Sequence, residues 1–220
     1  MDVAAPRDPL AYRDAALNRQ FSLARHLGKV LGVAAVILAG GVWLARDAPL
    51  WQWALVPVFW AVANVFEWTM HRFPMHRPLQ PRILYVNHAI HHHRAFDGDA
   101  QEIRTPLDLS VVMMPWYTLV VVFVMASPIA LAASLVGGAT LAGVFLVAAV
   151  LYFLLYELIH TLHHLSPPML AKVPFGRSAA IAWLRARHHA HHQLQRMTEI
   201  NFNVTFPFAD FLFGTLDRRG

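Results

Sequence analysis

Residues 27–45, 50–70, 107–126 and 139–159 are four almost uninterrupted runs of apolar side chains. At about 1.5 Å of rise per helical residue, each reaches across roughly 30 Å of hydrocarbon once its interfacial ends are included. The pattern therefore predicts four transmembrane helices. Arg46, Asp47 and Pro49 make a tight turn between the first two runs. Residues 71–106 are polar, rich in histidine and punctuated by Pro74, Pro78, Pro81 and Pro106, which predicts short helices and loops outside the hydrocarbon. Ser127, Pro128 and the Gly137 and Gly138 pair interrupt the apolar sequence, and the residues between them are too few to cross; a continued third helix and a re-entrant turn both fit 127–138. After residue 159 the chain is polar or only locally amphipathic.

Composition supports the membrane reading. The chain has 220 residues, 57% hydrophobic and only 14% charged, too apolar for an ordinary soluble domain and of a length for one, so residues 1–220 are expected to form a single domain. The fold class expected is all-α and integral to the membrane. Residues 1–26 are polar, carry Arg7, Arg13, Arg19 and Arg25, lack the order of a signal peptide, and are expected to form a cytosolic amphipathic lead. With four crossings, the lead, residues 71–106 and the carboxyl-terminal region share one side, and they hold every Lys and Arg except Arg46, on the opposite side, and Lys29, at the lead's end of the first run. That excess assigns them to the cytoplasmic face. The net charge of +5 is scattered between apolar spans without stacking aromatics on a soluble face, which argues against nucleic acid and for anionic headgroups. There is no cysteine, so a metal must be held by His, Asp or Glu.

The histidines supply the candidate chemistry. His88, His91 and His92 stand at i, i+3 and i+4, and His188, His191 and His192 repeat that spacing; on an α-helix each set projects from one face. His71 and His76 precede the first set, and His160 and His164 precede the second. Ten imidazoles exceed the four to six donors of one ion and suit two ions at about five each. All ten fall on the cytoplasmic side, in what is expected to be a helical cap holding a dinuclear site. Packing explains an isolated histidine, and His26, His93, His163 and His189 are read that way; it does not explain two copies of HxxHH, each preceded by a second pair at the end of an apolar span. Glu67, Glu157, Asp97 and Asp99 are candidates to balance charge or orient imidazoles from behind. The aromatic-rich stretch 201–216 reads as an interfacial belt, with the wall of an acyl-chain tunnel as the alternative.

Taken together, HxxxxH at His71, HxxHH at His88, HxxxH at His160 within YELIHTLHH, HxxHH at His188 and the ending FPFADFLFGT resemble the fatty acid hydroxylase and sterol desaturase superfamily, over a core of about residues 60–217. The resemblance implies an integral membrane, non-haem di-iron oxidoreductase that uses dioxygen and two electrons to hydroxylate or desaturate a lipid. It implies two iron ions, with zinc as an alternative occupant in a purified or crystallised form, and His71, His76, His88, His91, His92, His160, His164, His188, His191 and His192 as both the metal ligands and the catalytic set. Partners implied are a lipid substrate, the membrane, and a separate electron donor of ferredoxin or cytochrome b5 type with its reductase, since nothing here resembles a fused haem domain.

The stretch HHHRAFDGDAQEIRTPLD is similar to the segment after the first HxxHH of fatty acid 2-hydroxylases, so a fatty acyl chain is the substrate expected. Sterol desaturases or oxidases and carotenoid hydroxylases of the same superfamily are the alternatives. From other classes, a histidine-rich metal transporter would place ligands along a path through the bilayer, and a zinc hydrolase would need fewer ligands and one open position.

Overall fold

Small polar side chains start three of the helices. Asp8 Oδ2 accepts the Ala11 N–H at 2.9 Å ahead of helix Pro9–Ala16, whose first residue is a proline. Ser22 caps Leu23–Ala45, and Ser178 caps Ala179–His191 through the Ile181 N–H at 3.3 Å. The computed structural model of the chain describes residues 8–217; residues 1–7, including Arg7, and 218–220 lie outside them. Every regular element among the described residues is helical, and there is no strand. The chain separates into two compact units, one of residues Ser22–Ala63 and Pro115–Tyr156, the other of Asn64–Met114, the chain from Glu157 onward and the amino-terminal segment through Phe21.

The first unit is apolar. Two helical stretches, Leu23–Ala45 and Pro106–His164, are long and apolar enough to cross a membrane. The main part of the second, Tyr117–His164, is broken at Gly137 and Gly138, where Gly138 takes φ 73° and ψ −175°, a conformation open in practice to glycine alone. The break folds the stretch back on itself. Leu119 packs with Val150 and Phe153, while Ala133 nearer the break packs with Leu141 and Phe145, as an antiparallel hairpin requires. Leu23–Ala45 joins it through Val30 and Ala34. A Cβ on Gly143 would lie 2.6 Å from Ala45 N and 2.7 Å from Gly41 O, so two backbones meet there with no room for a side chain.

Element boundaries depart from the apolar runs in three places. The first helix begins at Leu23 rather than 27, carried outward by its Ser22 cap. The second run is divided into Leu50–Trp53 and Val56–Met70. The third long helix begins at Tyr117 rather than 107, because residues 106–112 form only short turns and Met113 is extended ahead of Pro115. Residues 127–138 continue that helix past Pro128 as far as Gly137, so the re-entrant alternative is not the one adopted.

In the second unit the lead packs inward. Tyr12 joins Ala95, Phe96, Ile103 and Val112 in one core cluster. Arg13 is fully buried: its Nε donates to Ala95 O at 2.8 Å, its Nη1 to Glu102 O at 2.7 Å and its Nη2 to Ala100 O, with the guanidinium 3.9 Å above Phe96 and 3.4 Å from Asp108. Three carbonyls and a carboxylate satisfy the charge, so the helix Pro9–Ala16 clasps the loop 95–108 rather than presenting a free amphipathic face.

The glycine crossing gives a direct test. Gly143→Ala is expected to lower stability by about 1–3 kcal/mol by overpacking, whereas Gly40→Ala, with open space at its Cβ, should stay within about 0.5 kcal/mol of the parent. Unfolding midpoints of the detergent-solubilised variants measure both, and equal midpoints would contradict the close approach.

Candidate metal centre

The period of each segment decides which imidazoles face inward. His71–Met75 and Val86–His92 are π-helical, with the wider turn of i→i+5 hydrogen bonding. Pro74 sits inside the first and has no N–H for an α-helical bond. Residues five apart therefore share a face, and His71 pairs with His76, their rings stacked at 5.0 Å. In Val86–His92 the same widening turns His88, His92 and His93 inward and leaves His91 outside. Ala179–His191 is α-helical, and there His188, His191 and His192 are all buried, as i, i+3 and i+4 demand. The pair His160 and His164 stands one α-turn apart at the end of Tyr117–His164.

Ten buried histidines form two groups. His71, His76, His88, His93 and His191 make one, and His92, His160, His164, His188 and His192 the other; within each, one nitrogen per ring lies within 4.8 Å of all the others. In the first, Nε2 atoms are separated by 2.8 Å (His71 to His88), 3.0 Å (His71 to His191), 3.1 Å (His76 to His191) and 3.2 Å (His88 to His93). In the second, the separations are 3.1 Å (His92 to His160), 3.1 Å (His164 to His188) and 3.0 Å (His188 to His192). Two nitrogens at right angles on one ion, each at about 2.1 Å, stand about 3.0 Å apart, so the spacing suits shared coordination.

Proton placement favours a cation as well. His71 Nδ1 faces Phe202 O and His191 Nδ1 faces Ile200 O at 2.8 Å. A carbonyl has no proton to give, so both rings carry theirs on Nδ1 and present bare lone pairs at Nε2. Those two lone pairs point at each other across 3.0 Å, an arrangement that repels unless a cation lies between them. Protonation is not the remedy, because burial pushes His71 down to about 4 and His191 well below the ordinary imidazole range. The second group repeats the device: His92 Nδ1 donates to Val111 O at 3.0 Å and His164 Nδ1 to Gln101 O at 2.8 Å. Burial likewise takes His92 to about 3 and depresses His76, His88, His93, His188 and His192, which favours the neutral form of the rings outside the apolar helix. Both groups fit a metal ion by donor type, tautomer and spacing.

Much of the support behind the ligands comes from the closing segment. Ile200, Phe202 and Val204 present alternate carbonyls to His191, His71 and His163, the last at 3.0 Å. Glu67 holds this ladder, its Oε1 accepting the Val204 and Thr205 N–H groups at 2.5 and 3.2 Å and its Oε2 the Thr205 hydroxyl at 2.6 Å. Asp210 accepts from Phe202 N, Asn203 N and the Thr215 hydroxyl. Glu67 thus anchors the backbone two residues beyond the Phe202 carbonyl that faces His71. Asp97 caps the Leu194 N–H at 3.2 Å, Asp99 is exposed, and Glu157 Oε1 is buried with no hydrogen-bond partner among the described residues.

Nine of the ten sequence-predicted positions are brought together. His91 is not among them; it is exposed, with Nδ1 3.1 Å from the Tyr12 hydroxyl, and His93 fills the corresponding place in the first group. The π-helix is the physical reason. The signal was in the chain, since His88 and His93 repeat the five-residue spacing of His71 and His76. His163 is a positioning residue at Val204, and His189 donates to or accepts from nothing in either group, its Nε2 lying 2.8 Å from His163 O. The carbonyls of Gln101, Val111, Ile200 and Phe202 carried no sequence signal, because every residue has one.

A family model described as fatty acid hydroxylase matches residues 56–215, a span that contains all ten grouped histidines. No curated protein and no solved structure gives a significant match.

Replacing His93 by Ala is expected to weaken metal retention in the first group by at least about tenfold, the scale seen when even supporting residues are lost, while His91→Ala should keep the parent's content. Elemental analysis after dialysis against a graded chelator reads both. Loss on His91→Ala with retention on His93→Ala would reverse the assignment.

Proposed function

The chain belongs to the fatty acid hydroxylase family, and from that premise we propose that it is a membrane-bound di-iron oxygenase that hydroxylates the alkyl chain of a fatty acyl lipid with dioxygen and two electrons. The observation carrying this reading is the pair of all-imidazole groups, five donors each, with tautomers set for metal. Four crossings, with the histidine unit on the cytoplasmic face, accord with the four apolar runs and the one-sided Lys and Arg.

His71, His76, His88, His93 and His191 would hold one ion, and His92, His160, His164, His188 and His192 the other. When bound, the irons supply the dioxygen activation needed to attack an unactivated C–H bond. The chain's own work is placement and exclusion. Carbonyls of Gln101, of Val111 and of the closing segment fix the rings of His71, His92, His164 and His191 before any metal arrives, so ligation costs little reorganisation. Phe96 packs 5.4 and 4.6 Å from the rings of His92 and His164, and Phe202 packs 5.9 Å from His71, keeping water from the ligands. The lipid chain would bind by apolar burial at about 0.8 kcal/mol per CH₂, with selectivity resting on which carbon is held against the metals. Electrons would come from a separate ferredoxin or cytochrome b5 type carrier and its reductase.

The donor set favours this over the other classes. A hydrolytic zinc site uses three protein ligands and water, and a transporter strings its ligands along a path rather than closing two five-donor groups. The test is oxygen tracing with the purified protein, a reductase system and lipid vesicles under isotopically heavy dioxygen. A heavy oxygen atom in an acyl chain, absent with His188→Ala, is the expected result. Heavy oxygen only from labelled water, or metal flux without oxygen consumption, would reject the reading, and label in a sterol or carotenoid would move the substrate class.

A further inference from the structure

The closing segment is built inside out. In the short helix Phe208–Leu212, Ala209 and Asp210 are buried, whereas Phe208, Phe211 and Leu212 are 48%, 68% and 57% exposed. Phe206 and Phe213 on either side are exposed as well. A helix that buries its carboxylate and turns its phenylalanines outward is arranged for an apolar surrounding, and five large apolar side chains in eight residues exceed the scatter of a watery surface.

Two further observations say what surrounds it. The first is depth along helix Val56–Met70. Asn64, Glu67 and His71 form one stripe, and the closing segment runs antiparallel beside it: His71 meets Phe202, Glu67 meets Val204 and Thr205, and Asn64 meets Phe206 O at 2.7 Å and Ala209 N at 2.9 Å. Asn64 lies seven residues before His71, about 10 Å along the axis, in the direction of the apolar run. The second is the backbone. Irregular chain tolerates hydrocarbon only if its polar groups are satisfied within the protein. Here Asp210 takes the N–H groups of Phe202 and Asn203, Glu67 those of Val204 and Thr205, Asn64 that of Ala209 and Asn203 Oδ1 that of Asp210.

We propose that residues 206–213 are a lipid-inserted wedge, seated in the acyl-chain region of the leaflet on the side of the histidine groups. Phe206, Phe208, Phe211, Leu212 and Phe213 contact lipid there, and Asn64, Glu67 and Asp210 satisfy the backbone that carries them. The inference rests on the membrane placement under Proposed function, and the test separates the two.

The chain has no cysteine, so single-cysteine variants take one spin label each. The full-length protein is reconstituted in vesicles of phosphatidylcholine and phosphatidylglycerol with a nitroxide at Phe211→Cys or Leu212→Cys, at Val36→Cys on the exposed face of helix Leu23–Ala45, and at Arg82→Cys on an exposed polar loop. Collision with dissolved oxygen against collision with a water-soluble nickel chelate reports depth. At 211 and 212 the ratio is expected several-fold above that at 82, placing the labels about 5–10 Å or more below the headgroups. Nickel contact at 211 and 212 equal to that at 82, with 36 deep in lipid, overturns the wedge and leaves the membrane reading standing. Water-like values at 36 as well reject the membrane reading itself. Protection from both reagents at 211 and 212 means a protein partner covers the patch, which also overturns the wedge.

Discussion

A proton held on Nδ1 by a backbone carbonyl is the constraint on which the rest depends. It leaves Nε2 bare, and repeating it on His71 and His191 in one group and His92 and His164 in the other turns the lone pairs of buried rings toward their own group. Lone pairs 3.0 Å apart in a dry interior are unfavourable alone and favourable around a cation. The carbonyls come from two regions far apart in the chain, Gln101 and Val111 in one and Ile200 and Phe202 in the other, so loops that would otherwise be mere connections must be held in place. Arg13 clasping the loop 95–108 and Asp210 and Glu67 clasping the closing segment are the means.

Helical period is the second determinant. Two π-helical segments and two α-helical ones each deliver histidines, and the spacing in sequence matches the period in space: five for His71 and His76 and for His88 and His93, four for His160 and His164 and for His188 and His192. The sets interleave. The first HxxHH segment sends His88 and His93 to one group and His92 to the other, and the second sends His191 to one and His188 and His192 to the other. His93 stacks on His192 at 4.3 Å, so the two groups are in direct contact.

Much of this was legible from the chain alone. Apolar runs marked the long helices, because a helix satisfies its backbone within one segment in a lipid-like setting, and repeated histidine spacing marked nine of the ten grouped histidines. What escaped had physical causes. The swap of His91 for His93 follows from assuming the α period where Val86–His92 adopts the wider one. The late start of Tyr117–His164 follows from Pro115, which hydropathy does not weigh. The burial of Arg13 was hidden because an arginine in a polar lead is ordinarily solvated, and only the three converging carbonyls reveal its role. Glu67 was recognised as important but not for its work, since a carboxylate one turn before His71 suggests direct contact with a ligand rather than with the backbone behind it.

Whether two sets of five imidazoles each enclose a metal is measured directly by X-ray absorption at the metal edge of the purified protein. A first shell of nitrogen alone is expected, at about 2.1 Å, with outer-shell scattering from about five imidazoles per ion. A shell dominated by carboxylate oxygen, or one with only two or three imidazoles per ion, would contradict it.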